Sequence, residues 1–333
     1  MRTPKTLATS LLSLSAAALL ALSAAGAASA APAPGKAPAE TSGVSSHTVV
    51  ETGGAEYWTA ERMRNAIPGD VLAERAKQRS ANSKAALNRP AEAGAPSTVE
   101  AQAPSLQAKE VAPKANASEA PVKHIGKVFF TLGGANYVCS GNSVSSTNKS
   151  TVSTAGHCLN EGPGAFATKF TFVPAYLDGA APYGMWTAKS LHAPTQWSSG
   201  GDMTYDTGFA VMNTLNGQTL SDAVGASGVQ FNAARGLTYK AFGYPAARPF
   251  DGQSLKSCSG TATNDPYNPQ FNSQGIPCNM TGGSSGGPWF IGTSSTGYQN
   301  SVNSYGYGSK STTMYGPYWG SVIQQAYSTA AAS

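Results

Sequence analysis

TAGHC at residues 154–158 and TGGSSGGP at residues 281–288 are the two segments on which the interpretation of this chain depends. A serine hydroxyl is a poor nucleophile at neutral pH and needs a nearby imidazole to accept its proton. Glycines on both sides of a serine permit a tight turn and let another molecule approach the backbone closely. Together the two segments predict a nucleophile at Ser285 and a base at His157.

The order of residues along the chain excludes one alternative. TGGSSGGP also fits the G-x-S-x-G turn of α/β-hydrolases, in which the acid and the histidine follow the serine. After Ser285 the chain contains no Asp, Glu or His; its last acid is Asp265 and its last histidine is His192. Any partner of the serine must precede it, so the α/β-hydrolase interpretation does not fit.

Four histidines compete for the role of base. His47 lies in the N-terminal part, His124 lies near the predicted start of the folded part, and His192 precedes an Ala-Pro pair that favours a surface turn. His157 is held by the adjacent Cys158, which suits a base that must keep one orientation. We therefore expect His157 to serve Ser285.

A carboxylate that orients the imidazole must be partly buried. Most acids between the histidine and the serine lie in Gly-, Ser- or Pro-rich turns, where solvated carboxylates are expected. Only Asp206 leads directly into an apolar run, residues 207–212, and Asp202 is the second candidate. The seven acids in this interval are Glu161, Asp178, Asp202, Asp206, Asp222, Asp251 and Asp265.

Composition divides the chain near residue 120. Of its 333 residues 41% are hydrophobic and 12% charged, but 28 of the 30 aromatic residues and all four cysteines follow residue 120. Because a core needs bulky apolar groups, residues 121–333 are predicted to be the folded unit. Their ten basic and seven acidic residues form no basic cluster, so we expect no nucleic-acid partner.

The first 30 residues have the features of a secretory signal. Arg2 and Lys5 precede an uncharged apolar run, and residues 28–30, ASA, fit a cleavage site. A membrane anchor is the poorer interpretation, since the run is rich in Ser and Ala and ends in that small-residue site. No later run reaches the roughly 18 apolar residues of a spanning helix. We expect export, and no membrane association after signal cleavage.

Residues 31–120 are predicted to be a pro-segment. They are rich in Ala, Pro, Glu and Lys, a composition that buries little and tends to stay open. Residues 57–72 carry apolar side chains at helical offsets, interrupted at Pro68-Gly69. A linker or surface tether is the alternative.

The part after residue 120 is predicted to be all-β. Short runs rich in Val, Phe, Tyr and Thr alternate with turn residues, which favours a sandwich or barrel. Trp319, Val322, Ile323 and Ala326 fall on one face of a C-terminal helix. The clearest strand runs are residues 128–132, 170–173, 209–212, 239–242 and 289–291.

In an exported protein the four cysteines are expected to form disulfides. Three connectivities are possible, and the local one joins Cys139 to Cys158 and Cys258 to Cys278. No C-x-x-C pair supports a zinc site, and we assign no residue of this sequence as a metal ligand.

Over roughly residues 125–327 the chain resembles the chymotrypsin-like (trypsin-fold) serine peptidases. VCSG at residues 138–141 and TAGHC match the family's CSG and TAGHC segments, whose cysteines pair across the histidine loop. GSSGGP at residues 283–288 resembles the family's GDSGGP. The broader pattern looks closest to bacterial V8-like and glutamyl endopeptidases. Shorter likenesses lie at residues 192–194, 206–212 and 304–306.

The resemblance implies two six-stranded antiparallel β-barrels with a C-terminal helix. Ser285 would be the nucleophile, His157 the general base and then acid, and Asp206 the orienting carboxylate. The N–H groups of Gly283 and Ser285 would form the oxyanion hole, and a peptide bond would be cleaved through an acyl-enzyme without any cofactor. The implied substrate-binding residues are Asn279, Asn303, Ser304, Tyr305 and Gly306.

The chain departs from the family pattern at three positions. Ser284 replaces the aspartate of GDSGGP, which in the animal enzymes pairs with the new N-terminus, so activation by that ion pair is not predicted. Asn279, expected at the base of the specificity pocket, supplies no carboxylate for Lys or Arg. Asn303 stands near the position of the pocket histidine typical of many glutamyl enzymes.

The sequence thus predicts an extracellular, monomeric serine endopeptidase made as a zymogen, with protein or peptide substrates. Residues 1–30 are the signal peptide, 31–120 the pro-segment and 121–333 the trypsin-like peptidase domain. A catalytically silent homologue that acts as a binding module is the rival interpretation. It is less favoured because candidates for all three catalytic residues are present.

Overall fold

Strands dominate the described residues, which are 43–50, 53–81, 94–105, 119–308 and 310–333 of the computed structural model. All of them belong to one compact unit, Thr41–Ser333; the predicted signal lies outside the described residues. The strands are β1 (Val44–Thr48), β2 (Ile67–Pro68), β3 (Ser97–Val99), β4 (Ile125–Leu132), β5 (Ala135–Val144), β6 (Thr151–Thr154), β7 (Thr168–Pro174), β8 (Trp186–Pro194), β9 (Gly208–Met212), β10 (Val229–Phe231), β11 (Thr238–Gly243), β12 (Lys256–Thr261), β13 (Thr263–Asn264), β14 (Gln274–Pro277), β15 (Pro288–Ile291), β16 (Gln299–Val302) and β17 (Thr313–Gly316). The helices are α1 (Gly54–Tyr57), α2 (Ala60–Arg64), α3 (Asp70–Ala81), α4 (Thr195–Ser198), α5 (Leu220–Val224) and α6 (Ser321–Ala331).

Six strands of the first half close into an antiparallel barrel. They pair in the order β8, β7, β4, β5, β6 and β9, and β9 pairs back with β8. β4 shows the alternation that such a barrel needs: Val128 and Phe130 pack inside it with Phe172, whereas Phe129 packs between the two halves with Phe242 and Phe290. The first of the two predicted barrels is therefore a closed six-stranded barrel.

The second half is mostly antiparallel, with β10 parallel to β16, and its strands are divided into two sheets. In one, β11 lies between β12 and β15, and β15 pairs with β16; in the other, β14 lies between β13 and β17. Only Ala262 separates β12 from β13. Just after β16, the Ser304 N–H donates to the carbonyl of Tyr315 in β17 (2.9 Å). This hydrogen bond connects the two sheets. The prediction of an all-β, chymotrypsin-like fold is confirmed.

The predicted C-terminal helix is α6, and its buried face includes Val322, Ile323 and Ala326, packed near β8 and β9. Trp319 lies before the helix and stacks on Phe231, with ring centres 5.6 Å apart. Within the described ranges, no helix has the length and apolar character needed to cross a membrane.

The described parts of residues 31–120 are packed, although their composition predicts an open segment. β1 pairs with β8, β2 with β5, and β3 with β10. Trp58 is 2% exposed and lies 5.4 Å from the ring of Phe129. A segment with few apolar groups can fold this way because the barrels provide the surface that covers them. The domain boundary near residue 120 stays a prediction.

Candidate active site

A disulfide holds the turn that carries His157. Cys139 in β5 is bonded to Cys158, which ends the short turn Gly156–Cys158. Both cysteines and His157 are fully buried. A second disulfide joins Cys258 to Cys278, so the structure has the local one of the three possible connectivities.

Asp206 binds His157 with both carboxylate oxygens. Oδ1 accepts the backbone N–H of His157 and Oδ2 contacts its Nδ1, each at 2.8 Å. Because a carboxylate can only accept here, Nδ1 carries the imidazole proton. Ser304 Oγ donates to the same Oδ2 at 2.5 Å. His157 Nε2 is left as a buried acceptor with no hydrogen-bond partner among the described residues.

Asp202, the second candidate for the orienting acid, is also buried. Its Oδ1 accepts the N–H of Thr204 (3.0 Å) and so caps the turn Met203–Tyr205. Asp206 follows the same turn directly, before β9 begins. Burial therefore does not distinguish the two acids, whereas the hydrogen bonds to His157 do.

Backbone geometry holds the loop of Ser285 against the first barrel. Gly286 has φ +80°, and a Cβ there would collide with Thr154 Oγ1 and the Ser140 carbonyl. The Ser140 N–H donates to the Ser285 carbonyl at 2.7 Å. Because Thr154 ends the strand that leads to His157, these contacts hold the loop of Ser285 against that strand.

Two backbone donors at this loop have no acceptor inside the described structure. Neither the Gly283 N–H nor the Ser285 N–H forms a backbone or side-chain hydrogen bond there. The Gly283 carbonyl is turned away and accepts from Ser140 Oγ (2.9 Å), with Gly283 at φ +93°. The loop therefore offers two N–H groups to an incoming oxygen.

Four of the five predicted substrate-binding residues line a cleft beside Ser285: Asn279, Ser304, Tyr305 and Gly306. Asn303 does not. Its Nδ2 donates to the Phe242 carbonyl (2.8 Å) and to the Ser284 carbonyl (2.9 Å), and its Oδ1 accepts from Trp289. The amide of Asn303 is thus used by the protein itself, and it holds the loop that carries Ser285.

The sequence predicted the wrong environment for two side chains, those of His192 and Asp265. His192, expected in a surface turn, lies buried in β8 between the hydroxyls of Ser46 and Ser190, each 2.8 Å away. Burial lowers the pKa of His192 to about 4, so it is neutral at physiological pH. Asp265, expected to be solvated, is 2% exposed. The phenols of Tyr305 and Tyr307 donate hydrogen bonds to it. The one sequence signal for these bonds is the tyrosine-rich stretch near the end of the chain.

Helix α3 of the N-terminal segment lies across the cleft. The Asp70 carboxylate is in contact with Gly282, and a Cβ at Gly282 would collide with it. Burial raises the pKa of Asp70, with the charge of His157 acting in the opposite direction. Lys77 Nζ donates to the Gly306 carbonyl at 2.6 Å. Beneath this helix Ser285 is only 4% exposed. The sequence signalled a helix near these residues but not its position over the cleft.

Three solved structures that are similar to this chain are proteases. Protease Anisep from Arthrobacter nicotinovorans is 82% identical, over 65% of this chain and 99% of that one, with a TM-score of 0.65. The thermostable serine protease AL20 from an extremophilic microorganism is 52% identical, over 64% and 98% of the two chains, with a TM-score of 0.62. A Glu endopeptidase in complex with MPD is 21% identical, over 66% and 95%, with a TM-score of 0.52, and shares the fold. No family model and no curated protein matches the chain.

The barrels, the cleft and these similarities define a class of enzyme. The chain belongs to the serine proteases of the trypsin/chymotrypsin-like fold, and its activity is that of a serine endopeptidase.

Proposed function

We propose that the protein is a secreted serine endopeptidase that cleaves peptide bonds with Ser285, His157 and Asp206. The observation that carries the proposal is the pair of hydrogen bonds between Asp206 and His157, which leaves Nε2 unprotonated. The close approach of Gly286 to Thr154 supports the proposal, because Thr154 ends the strand that leads to His157. In serine proteases the hydrogen bond from the serine hydroxyl to the histidine is often long before substrate binds.

The reaction follows from these groups. Ser285 Oγ attacks the peptide carbonyl carbon as His157 Nε2 takes its proton, and Asp206 stabilises the imidazolium. The imidazolium then gives that proton to the leaving amine, the C–N bond breaks, and the acyl group stays on Ser285 as an ester. Water repeats the sequence in the second half and releases the acid. The free N–H groups of Gly283 and Ser285 are suited to hold the negative oxygen in both halves.

Labelling separates this proposal from the rival one of a silent binding module. A fluorophosphonate probe should react with the mature enzyme, and peptide mass spectrometry should find the label on Ser285. The reason is that only an activated serine displaces the probe's leaving group. If Ser285 stays unlabelled while a control peptidase reacts, the silent homologue is the better interpretation.

Residues 31–120 fit a pro-segment that keeps the enzyme latent. α3 covers Ser285 and His157, and it packs near the turns Gly156–Cys158 and Met203–Tyr205. Arg79 holds its far end by donating to the carbonyls of Glu161 (2.8 Å) and Gly162 (2.9 Å). The precursor would gain access to substrate when this segment leaves.

We expect Ala76→Glu to make the precursor react faster with the fluorophosphonate probe. Ala76 is fully buried on the inward face of α3, so a carboxylate there opposes docking of the helix. Arg75→Glu is the matched control, because it adds the same side chain one residue earlier on the exposed side of the helix. The labelling rate of each intact precursor is the measurement. A wild-type precursor that reacts as fast as the mature enzyme would contradict latency.

The disulfide near His157 should matter for both stability and rate. Removing either disulfide by a double Cys→Ala exchange should lower the free energy of unfolding by about 3 kcal/mol in urea, since the loops are of similar length. The variant without Cys139 and Cys158 should also have a lower kcat, because removing this disulfide frees the turn that carries His157. The Cys258/Cys278 variant is the control. An unchanged kcat in the first variant would show that the turn holds itself.

Secretion is supported by the predicted signal in residues 1–30 and by the two disulfides, which are typical of oxidising compartments. The N-terminal sequence of the enzyme recovered from culture medium tests it. A start near residue 31 in the precursor, or near residue 120 in the mature form, is the expected result.

A further inference from the structure

A cluster outside the catalytic residues binds an ammonium group. Besides its bond to the Gly306 carbonyl, Lys77 Nζ lies 4.6 Å from the ring centre of Tyr307 and 5.8 Å from that of Tyr305. Distances below about 6 Å over an aromatic face are those of a cation–π contact. The cation comes from α3, whereas the groups that bind it belong to the part of the chain predicted to be the mature enzyme.

A buried carboxylate stands behind these rings. Asp265 Oδ2 accepts from the phenols of Tyr305 (2.7 Å) and Tyr307 (2.6 Å), and Oδ1 accepts the N–H groups of Tyr267 (2.9 Å) and Asn268 (3.2 Å). In the described part of the chain, no ion pair joins Asp265 to a basic side chain. Its charge is thus held by neutral donors, and it adds to the attraction of the ring faces for a cation.

The same hydrogen bonds limit what the cluster can bind. Burial raises the pKa of Tyr305 well above its usual value, and the bond to Asp265 acts in the same direction. Burial raises the pKa of Tyr307 as well, so both phenols stay neutral and donate their protons to Asp265. The groups of the mature part that contact Lys77 Nζ are therefore ring faces and the carbonyl of Gly306, which suit a cation.

The cluster lies a definite distance from the candidate nucleophile. Asp70 is the first residue of α3 and contacts Gly282, three residues before Ser285. Lys77 lies seven residues further along the same helix. Seven helical residues span about 10 Å, the length of about three residues of extended peptide. Lys77 is also paired with Glu74 (2.6 Å), which leaves together with the segment.

We infer that Tyr305, Tyr307 and Asp265 form a subsite for a lysine or arginine side chain of the peptide substrate, about three residues from the bond that is cleaved. Lys77 occupies this subsite in the precursor. The inference rests on the proposed function, because it needs a mature enzyme whose segment has left and whose nucleophile is Ser285.

Matched peptides test the inference. Internally quenched peptides with one scissile bond carry lysine or norleucine at single positions two to four residues from it, on either side. At one position the mature enzyme should cleave the lysine peptide with a kcat/KM about 3- to 30-fold higher, the range of a cation–π contact. Norleucine keeps the aliphatic stem, so the ratio measures the charge.

Variants assign the preference to the cluster. Tyr307→Leu should bring the lysine-to-norleucine ratio close to one, and Tyr307→Phe should keep much of it, since the ring remains. Tyr298→Leu is the control: its phenol bonds to Glu100 of the N-terminal segment, and the ratio should not move.

A binding measurement tests the subsite independently of catalysis. A Ser285→Ala precursor processed in trans by the wild-type enzyme should show the same ratio in Kd. Cleavage or binding with no lysine preference at any position, or a preference that survives Tyr307→Leu, overturns the subsite. If the peptides bind with the preference but none is cleaved by the wild type, the proposed function fails and the cluster stands only as a binding site for a lysine side chain.

Discussion

Ser285→Ala should reduce kcat for peptide hydrolysis by about 10⁶-fold, the loss typical of removing the nucleophile of a serine protease. The residual rate would come from binding and from the N–H groups of Gly283 and Ser285, which the exchange leaves in place. Unfolding should be nearly unchanged, since only one oxygen is removed. The measurement is kcat on a chromogenic amide, with urea unfolding as a check on the fold.

Ser284→Ala is the matched control for this experiment. Ser284 Oγ donates to the Thr281 carbonyl at 2.7 Å, and the backbone N–H of Ser284 donates to the same oxygen at 3.2 Å. One of these two bonds survives the exchange, so the turn should persist and kcat should fall by less than about tenfold. Loss of hydrolysis in Ser284→Ala, with activity kept in Ser285→Ala, would move the nucleophile by one residue.

Asp206→Asn should lower kcat by about 10⁴-fold, with a small effect on KM. The carboxylate accepts from Nδ1, whereas the amide of asparagine can donate to it. Nδ1 then becomes an acceptor and the proton moves to Nε2, so the base cannot take the proton of Ser285. The exchange keeps the shape of the side chain, which makes the result a test of tautomer and charge.

Asp202→Asn provides the comparison, because it is an equally conservative change at a buried acid of the same turn. The oxygen of the new side chain can still accept the N–H of Thr204, so the cap should survive. We expect kcat within about tenfold of the wild type. A 10⁴-fold loss at Asp202, with little loss at Asp206, would assign the orienting role to Asp202.

Local signals account for what could be predicted from the sequence. Alternating short strands pointed to an all-β fold, and the apolar run after Asp206 separated it from six other acids. The surroundings of Asp265 and His192 could not be predicted in the same way. A turn residue beside Gly, Ser or Pro is solvated in most proteins, and only the packing of distant strands buries these two side chains.

Asn303 shows the same limit inside the site. Its position in the chain suggested contact with substrate, yet its amide is used by Phe242, Ser284 and Trp289, which lie on three other segments. Which polar groups remain free in a cleft depends on where all their possible partners lie. No pattern of neighbouring residues contains that information.

The class of enzyme could be predicted from the sequence, because a serine nucleophile needs particular residue types at particular turns, and TAGHC and TGGSSGGP have that composition. The placement of the N-terminal segment could not. Its composition predicts an open chain, since an isolated segment with few apolar groups cannot offset the entropy of ordering. Packed against the barrels, the same residues bury Trp58 and Ala76, put α3 over Ser285 and place Lys77 among the tyrosines. That arrangement depends on surfaces that exist only once the strands have paired.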